Sequence, residues 1–274
     1  MKINATNRKL LRYVMFAGAC FLLFALVYHF FYEYSFFFVE GMKNRLTKET
    51  EKDTQWHEYV DTIYYINLDS REDRKAEFLE EMRRMGVPDN KIVRIPAVNK
   101  PGKGDWGCSL SHLVTIQQFV DSGIDNCIVF EDDFVFKQNL SMVNSSFRKV
   151  FGQFNKKDNT PVTYDIIMLS ANEIDVSATE HEHLKKVKDA QTTSGYMVNK
   201  YFAPVLLQNY REGAKLIEKS YGGGKSDKLQ GPFCIDQYWK RLQPQSNWYL
   251  FSPKLGVQRE SHSDIQGGVV NPGV

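Results

Sequence analysis

Three consecutive carboxylates, Glu131, Asp132 and Asp133, interrupt an apolar stretch, with Ile128-Val129-Phe130 before them and Phe134-Val135-Phe136 after. The first run is short, β-branched and aromatic, and is entered from turn-forming residues at 121–126, which marks a buried strand. No strand can carry three adjacent charges through a core, because like charges repel and each desolvated carboxylate needs a partner. The cluster is therefore expected at a strand's C-terminal end, where open α/β sheets bind ligands. Its chemistry suits a hard divalent cation such as Mn²⁺ or Mg²⁺. An acidic turn that hydrates its own charges is the alternative, and the rest of the chain bears on the choice.

Strand-like and helix-like patterns alternate around this cluster. Residues 62–68 form a β-rich apolar run, followed by Ser70 as an expected N-cap with Asp73 in the capping-box position. The next helix presents Phe78, Leu79, Met82 and Met85 on one side and stops at Gly86 ahead of Pro88. Further strands are expected at 92–98, 165–170 and 248–252, and helices at 110–120, within 203–221 and at 235–242. Such alternation implies an α/β domain with a mainly parallel central sheet. The domain is expected over residues 61–266, with 267–274 as a tail.

The N-terminus is of a different kind. Residues 14–39 are almost wholly apolar and aromatic, interrupted by His29 and Glu33 with tyrosines around them, and are long enough to span a bilayer. They read as a transmembrane anchor after a short cytosolic tail at 1–13, with Tyr28, Tyr32 and Tyr34 at an interfacial belt. A cleaved signal peptide is the alternative, although the run exceeds a usual h-region and no small-x-small site follows it. Lys2, Arg8, Lys9 and Arg12 before the span are balanced by Lys43, Arg45, Lys48 and Lys52 after it, so charge alone does not orient it. A single anchor near an N-terminus suits a type II protein of the endoplasmic reticulum or Golgi with its domain in the lumen. Residues 40–60 then form a polar stem. The triplets beginning at Asn139 and Asn144 are glycosylation sequons compatible with a lumen. Lys and Arg number 35 against 33 Asp and Glu, with no long basic run, which argues against a nucleic-acid partner. Cys20, Cys108, Cys127 and Cys234 lack a metal-binding CxxC spacing, and the three beyond the apolar run read as buried thiols.

Several polar groups fall where strands are expected to end. Asn67, Asp69, Arg71 and Arg74 follow the first strand; Asn can read a base or ribose edge, and Arg can grip phosphate through its planar fork. A solvated helix start is the alternative for these residues. His112, in Gly107-Cys-Ser-Leu-Ser-His112, is a candidate phosphate or acceptor ligand or else a packing residue. Asp236, at a late helix start, is either a helix-start acid or a catalytic base. Gln258, His262, Ser263 and Asp264 form a polar cluster with a metal-capable imidazole. Trp239, Trp248 and Tyr249 are either core aromatics or faces on which a sugar stacks.

In their order, these elements resemble glycosyltransferase family 25, which includes lipopolysaccharide-type sugar transferases and collagen hydroxylysine galactosyltransferases. The resemblance rests on Tyr65-Ile-Asn-Leu-Asp-Ser-Arg71 with Arg74, and on Ile95-Pro-Ala-Val98. It continues through Gly107 to His112, Val129 to Asp133, Ser194-Gly-Tyr196, Ile235-Asp236 and Ser263-Asp264, covering roughly 61–266. It implies a GT-A-type fold, a UDP-galactose or UDP-glucose donor, a divalent metal, usually Mn²⁺, and inversion at the anomeric carbon. By the family pattern Asn67, Arg71 and Arg74 line the nucleotide site with Ala97 and His112 nearby, and Asp133, with Asp132 beside it, holds the metal. The acceptor expected is a glycan or a hydroxylysine-containing protein.

The residues suit that chemistry independently. A metal at Asp133, with His262 as a further ligand, stabilises the charge of a departing diphosphate. Asp236 is the chosen general base for the acceptor hydroxyl, with Asp165 and Asp264 next. A metal-dependent nucleotidyltransferase is a rival reading, but Gly222-Gly-Gly224 lacks the context of a phosphate-binding loop. A non-catalytic, membrane-anchored sugar-binding module is the other.

Overall fold

The computed structural model describes residues 54–152, 163–222 and 231–259, and the backbone of 261–263 and 268–270. The proposed anchor at 14–39 lies outside the described residues, among which no helix is long and apolar enough to cross a membrane. Chain order is β1 (Thr62–Asn67), α1 (Glu72–Arg84), β2 (Ile92–Pro96), α2 (Gly104–Ser122), β3 (Asn126–Glu131), β4 (Phe134–Phe136) and α3 (Leu140–Phe151). Then come β5 (Ile166–Met168), β6 (Asn172–Ala178), β7 (Leu184–Gln191), β8 (Gly195–Asn199), α4 (Ala203–Gly222), α5 (Ile235–Tyr238) and β9 (Trp248–Phe251). The short strands β10 (Gly256–Gln258), β11 (Ser261–Ser263) and β12 (Gly268–Val270) close the order.

Eight strands form one sheet in the order β2-β1-β3-β8-β5-β9-β7-β6. Both of β1's pairings, to β2 and to β3, are parallel, as is β5 with β9. The pairings β3–β8, β5–β8, β6–β7 and β7–β9 are antiparallel. The sheet is thus mixed, parallel across β2, β1 and β3 and again between β5 and β9.

Continuous apolar runs appear because both faces of these strands are covered. Tyr64 and Ile66 of β1 and Cys127 and Val129 of β3 face one core, with Ile116 and Phe119 of α2 and Leu206 and Tyr210 of α4. Ile63, Tyr65, Ile128 and Phe130 face the other, with Phe78 and Met82 of α1 and Val143 and Phe147 of α3. Alternate residues of one strand therefore feed two cores, giving a helix–sheet–helix sandwich.

Several local expectations need correction. Helix α1 has Arg71, not Ser70, at its N-cap position, with no side-chain cap bond. A turn closed by Arg71 N–H donating to Leu68 O at 3.0 Å carries the chain past Ser70. Asp73 is taken instead by the Arg71 guanidinium, whose hydrogen bond holds its carboxyl at about 2. Helix α1 ends at Arg84 with Met85 as C-cap, and Gly86 follows with a φ of 73° that suits glycine. Helix α2 starts at Gly104, earlier than its apolar spacing indicates. The expected helix at 235–242 is four residues of α-helix followed by a 3-10 turn, Trp239–Gln245.

Residues 54–60, read from the sequence as the end of a stem, pack into the fold. Trp56 is wholly buried and its indole N–H donates to Met85 O at 2.9 Å. Its backbone N–H donates to Asn144 Oδ1 at 2.8 Å, and Asn144 is only 8% exposed. The Asn144 sequon is thus closed to a glycan in the folded protein. Asn139 is exposed and serves as the N-cap of α3, accepting from Met142 N–H at 2.9 Å.

Candidate active site

The acidic cluster lies at the C-terminal end of β3. Glu131 is the strand's last residue, Asp132 and Asp133 form the turn, and β4 leaves antiparallel to β10. This turn is held from several sides. The Phe134 ring fills the space over two glycines, so that a Cβ on Gly195 would approach it to 2.8 Å. Arg259 N–H donates to Asp133 O at 2.7 Å, and Glu131 N–H to Ser194 O at 3.0 Å.

The two aspartates have different surroundings. Asp132 has both oxygens engaged: Oδ1 accepts from Arg74 Nη1 at 3.0 Å and Oδ2 from Asn67 Nδ2 at 2.7 Å. Asp133 Oδ2 lies 3.5 Å from Arg74 Nη1, while Asp133 Oδ1 is buried without a hydrogen-bond partner. Burial, then the nearby Glu131 charge, push the Asp133 carboxyl up to about 7. Burial pushes Asp132 up as well. An oxygen donor that is buried, unpartnered and hard to ionise alone fits a hard cation, so the chemistry of Asp133 is compatible with the metal that the sequence resemblance implies.

Asn67 is 1% exposed and acts inside the fold. Its amide donates to Arg71 O at 3.0 Å as well as to Asp132, and its Oδ1 accepts from Arg94 Nε at 3.0 Å. Arg94, which the sequence did not single out, also reaches Asp69 Oδ1 at 2.6 Å. Ala97 N–H donates to Asn67 O at 2.9 Å, which places Ala97 beside this cluster. Gly107 lets the head of α2 dock there, since a Cβ would lie 2.6 Å from Val98 O. Ser111 Oγ then accepts from Val98 N–H at 2.8 Å. The Gly-x-x-x-Ser part of the motif is thus a docking device.

His112 is fully buried on α2. Its Nε2 lies 3.3 Å from Glu131 Oε1 and its Nδ1 3.0 Å from Tyr196 Oη, on which Tyr210 Oη donates at 3.3 Å. Thr193 Oγ1 donates to Glu131 Oε1 at 2.6 Å, and Gln258 Nε2 lies 3.4 Å from Oε2. Burial alone would push Glu131 up; the bonds from His112 and Thr193 outweigh it and hold Glu131 low.

Asp236 stands on a helix of only four residues, too short for a helix dipole to favour its ionised form. Burial raises its carboxyl above the usual range, partly offset by the Thr192 backbone N–H and the Gln237 side chain. Thr192 itself has φ 84°, a left-handed conformation that costs a β-branched residue on the order of 1–3 kcal/mol. This strained residue sends its amide to Asp236, and its neighbour Thr193 sends a hydroxyl to Glu131.

Other expectations fall elsewhere. Asp165 precedes β5, accepts from Asn247 N–H at 2.7 Å, and lies at the end of the sheet opposite Glu131. Trp239 and Trp248 are wholly buried and form no sugar platform; they pack edge to face at 5.0 Å. Cys108, Cys127 and Cys234 are not joined by disulfides to one another. The backbone of His262 and Ser263 lies in β11, paired with β12; their side chains, and Asp264, lie outside the described residues.

Residues 89–218 match the model of glycosyltransferase family 25 (LPS biosynthesis protein). That span includes His112, Glu131, Asp132, Asp133 and Tyr196, and leaves Asn67, Arg71, Arg74, Asp236 and His262 outside it. Among solved structures, A197 from STIV is 8% identical with a TM-score of 0.36, over 74% of this chain and 96% of that one. A glycosyltransferase involved in the glycosylation of the major capsid of PBCV-1 is 10% identical with a TM-score of 0.37, over 69% of this chain and 80% of that one. Both are distant likenesses and bear on no individual residue.

Proposed function

From the premise that this chain carries a glycosyltransferase family 25 domain and is a transferase, we propose that it moves a hexose, galactose or glucose, from a UDP-sugar to a hydroxyl group. The acceptor is a glycan or a hydroxylysine-containing protein, the reaction inverts the anomeric carbon, and the fold is of GT-A type. Residues 14–39 anchor the chain as a type II protein with its domain in the lumen of the endoplasmic reticulum or Golgi.

The observation that carries this reading is the pair of fates at the end of β3. Asp132 is fixed by Arg74 and Asn67, while Asp133 turns a buried, unpartnered oxygen toward the site. Asp133, with Asp132 beside it and His262 from β11, is the proposed holder of Mn²⁺ or Mg²⁺. Such an ion, when bound, would neutralise charge on the departing diphosphate, worth several kcal/mol.

The chain's own groups supply the rest. Arg74 sets the cluster's geometry, and Arg71, paired with Asp73 in this structure, is the proposed phosphate contact once it exchanges that carboxylate for the donor. Asp236 takes the proton from the acceptor hydroxyl as that oxygen attacks, a contribution of about 10²–10⁴-fold. Its burial raises its proton affinity, which suits a base, and the Thr192 amide fixes the carboxylate's direction.

The test is to incubate the full chain in detergent with a panel of UDP-sugars and Mn²⁺ and follow UDP release. Release from one UDP-hexose, lost in chelator, is expected. No release from any donor, with or without acceptor glycans and hydroxylysine peptides, overturns the transfer reading; release that chelator leaves intact removes the metal.

A further inference from the structure

The geometry points to a second cation position, built from Cys108, His112 and Glu131, that takes a borderline transition metal such as Zn²⁺ or Co²⁺ through a thiolate. Cys108 and His112 are four residues apart on α2 and so share one helix face. Glu131 reaches them from the end of β3. One ligand atom from each lies within 4.8 Å of the other two. A point therefore exists within about 2.8 Å of all three, and closing to about 2.0–2.3 Å requires shifts of only about half an ångström.

The charges favour a cation there. Burial first, then the charges of Glu131, Asp236 and Asp133, push the Cys108 thiol well above its usual range. The same surroundings that oppose a bare thiolate favour a thiolate bound to a divalent metal. On binding, the S–H proton leaves for solvent and sulfur donates its electron pair to the metal, with no change of oxidation state.

The hydrogen bonds around His112 can accommodate the change. Without metal, the Tyr210–Tyr196 hydroxyl chain can donate into Nδ1 while Nε2–H faces Glu131. A metal on Nε2 needs the proton on Nδ1 instead. Each tyrosine hydroxyl both donates and accepts, so Tyr196 can turn to accept from Nδ1–H. A ligating histidine whose second nitrogen is held in this way is the usual arrangement of protein metal sites. Thr193 continues to orient Glu131 through Oε1. Three protein ligands leave the fourth position to water, and the thiolate sets this site apart from the carboxylates and imidazole proposed around Asp133. This inference stands whether or not the chain transfers a hexose.

The test is optical. The full chain, stripped with chelator in detergent, is titrated with Co²⁺ and watched for a sulfur-to-metal charge-transfer band in the near ultraviolet. A band of one thiolate-bound cobalt per chain is expected. Cys108→Ser should abolish it, while Cys234→Ser and Asp133→Asn should keep it. Tyr196→Phe removes the partner of Nδ1 and should weaken cobalt binding by about 10–100-fold. The absence of a band in the unaltered chain overturns the site, as does a band that survives Cys108→Ser. Unchanged cobalt affinity in Tyr196→Phe removes His112 from the ligand set.

Discussion

Strands β2, β1 and β3 run parallel and deliver Ala97, Asn67 and Glu131 to one edge, whereas β8, β7 and β6 run antiparallel to their sheet neighbours. The first group contributes the acidic and cationic side chains themselves. The second contributes mainly the turn before β8, whose Thr192, Thr193 and Ser194 hold Asp236 and Glu131. On the proposed reading, one half of the sheet presents the donor-site groups and the other aims them, with Asp236 supplied by α5. Substitutions in the first should act on turnover, and those in the outer second half should scarcely be felt.

The largest effect is expected at Asp133. Asp133→Asn keeps shape but removes the charge on the buried, unpartnered oxygen, so metal-supported turnover should fall by several kcal/mol. The equivalent change at Asp132 should instead loosen Arg74 and Asn67. Assays across a Mn²⁺ titration separate the two: excess metal should not rescue Asp133→Asn. Full activity in that variant would leave the end of β3 with no more than a structural part.

Next comes Asp236. Asp236→Asn should lower turnover by at least about 10²-fold, with little change in donor affinity. Because burial raises this carboxyl and the base must be ionised, turnover of the unaltered chain should decline on acidification through a point above the usual carboxylate range. That acid limb should vanish in the variant. An unchanged limb would place the base elsewhere.

What the sequence revealed follows the same division. Strands β1, β3 and β9 were legible because burial on both faces leaves continuous apolar runs such as Ile128-Val129-Phe130. The acidic cluster was legible because charge between such runs must sit at a strand end. The hairpin β6–β7 was not: its Lys185, Lys186, Lys188 and Asp175 give no apolar period, and its register includes an irregularity between Glu173 and Asp175. Trp56 looked like part of a polar stem because its partners, Met85 and Asn144, are remote in sequence. Arg94 was hidden within an apolar strand, and the role of Thr192 depends on a backbone angle that no composition signals.

A third prediction tests the join between the halves. Gly256 of β10 lies against the Phe134 ring, and an added Cβ would also stand 2.6 Å from Val135 O. Gly256→Ala should destabilise the fold by about 1–3 kcal/mol, read as a lowered thermal midpoint. An unaltered midpoint would mean that Phe134 moves aside freely, and that the Asp132–Asp133 turn is not fixed by packing.

The smallest effect is expected at the far edge of the sheet. Ile174 on β6 is 56% exposed, and β6 pairs only with β7 among the described strands. A charge there meets water rather than the core, and Lys on an edge strand also blunts unwanted strand pairing. Ile174→Lys should therefore change stability by no more than about 0.5 kcal/mol and leave turnover intact. The measurement is a thermal midpoint beside a UDP-release assay on the same full chain. A loss of turnover without a loss of stability would show that the outer edge takes part in acceptor binding, and the division between a half that presents chemistry and a half that aims it would then fail.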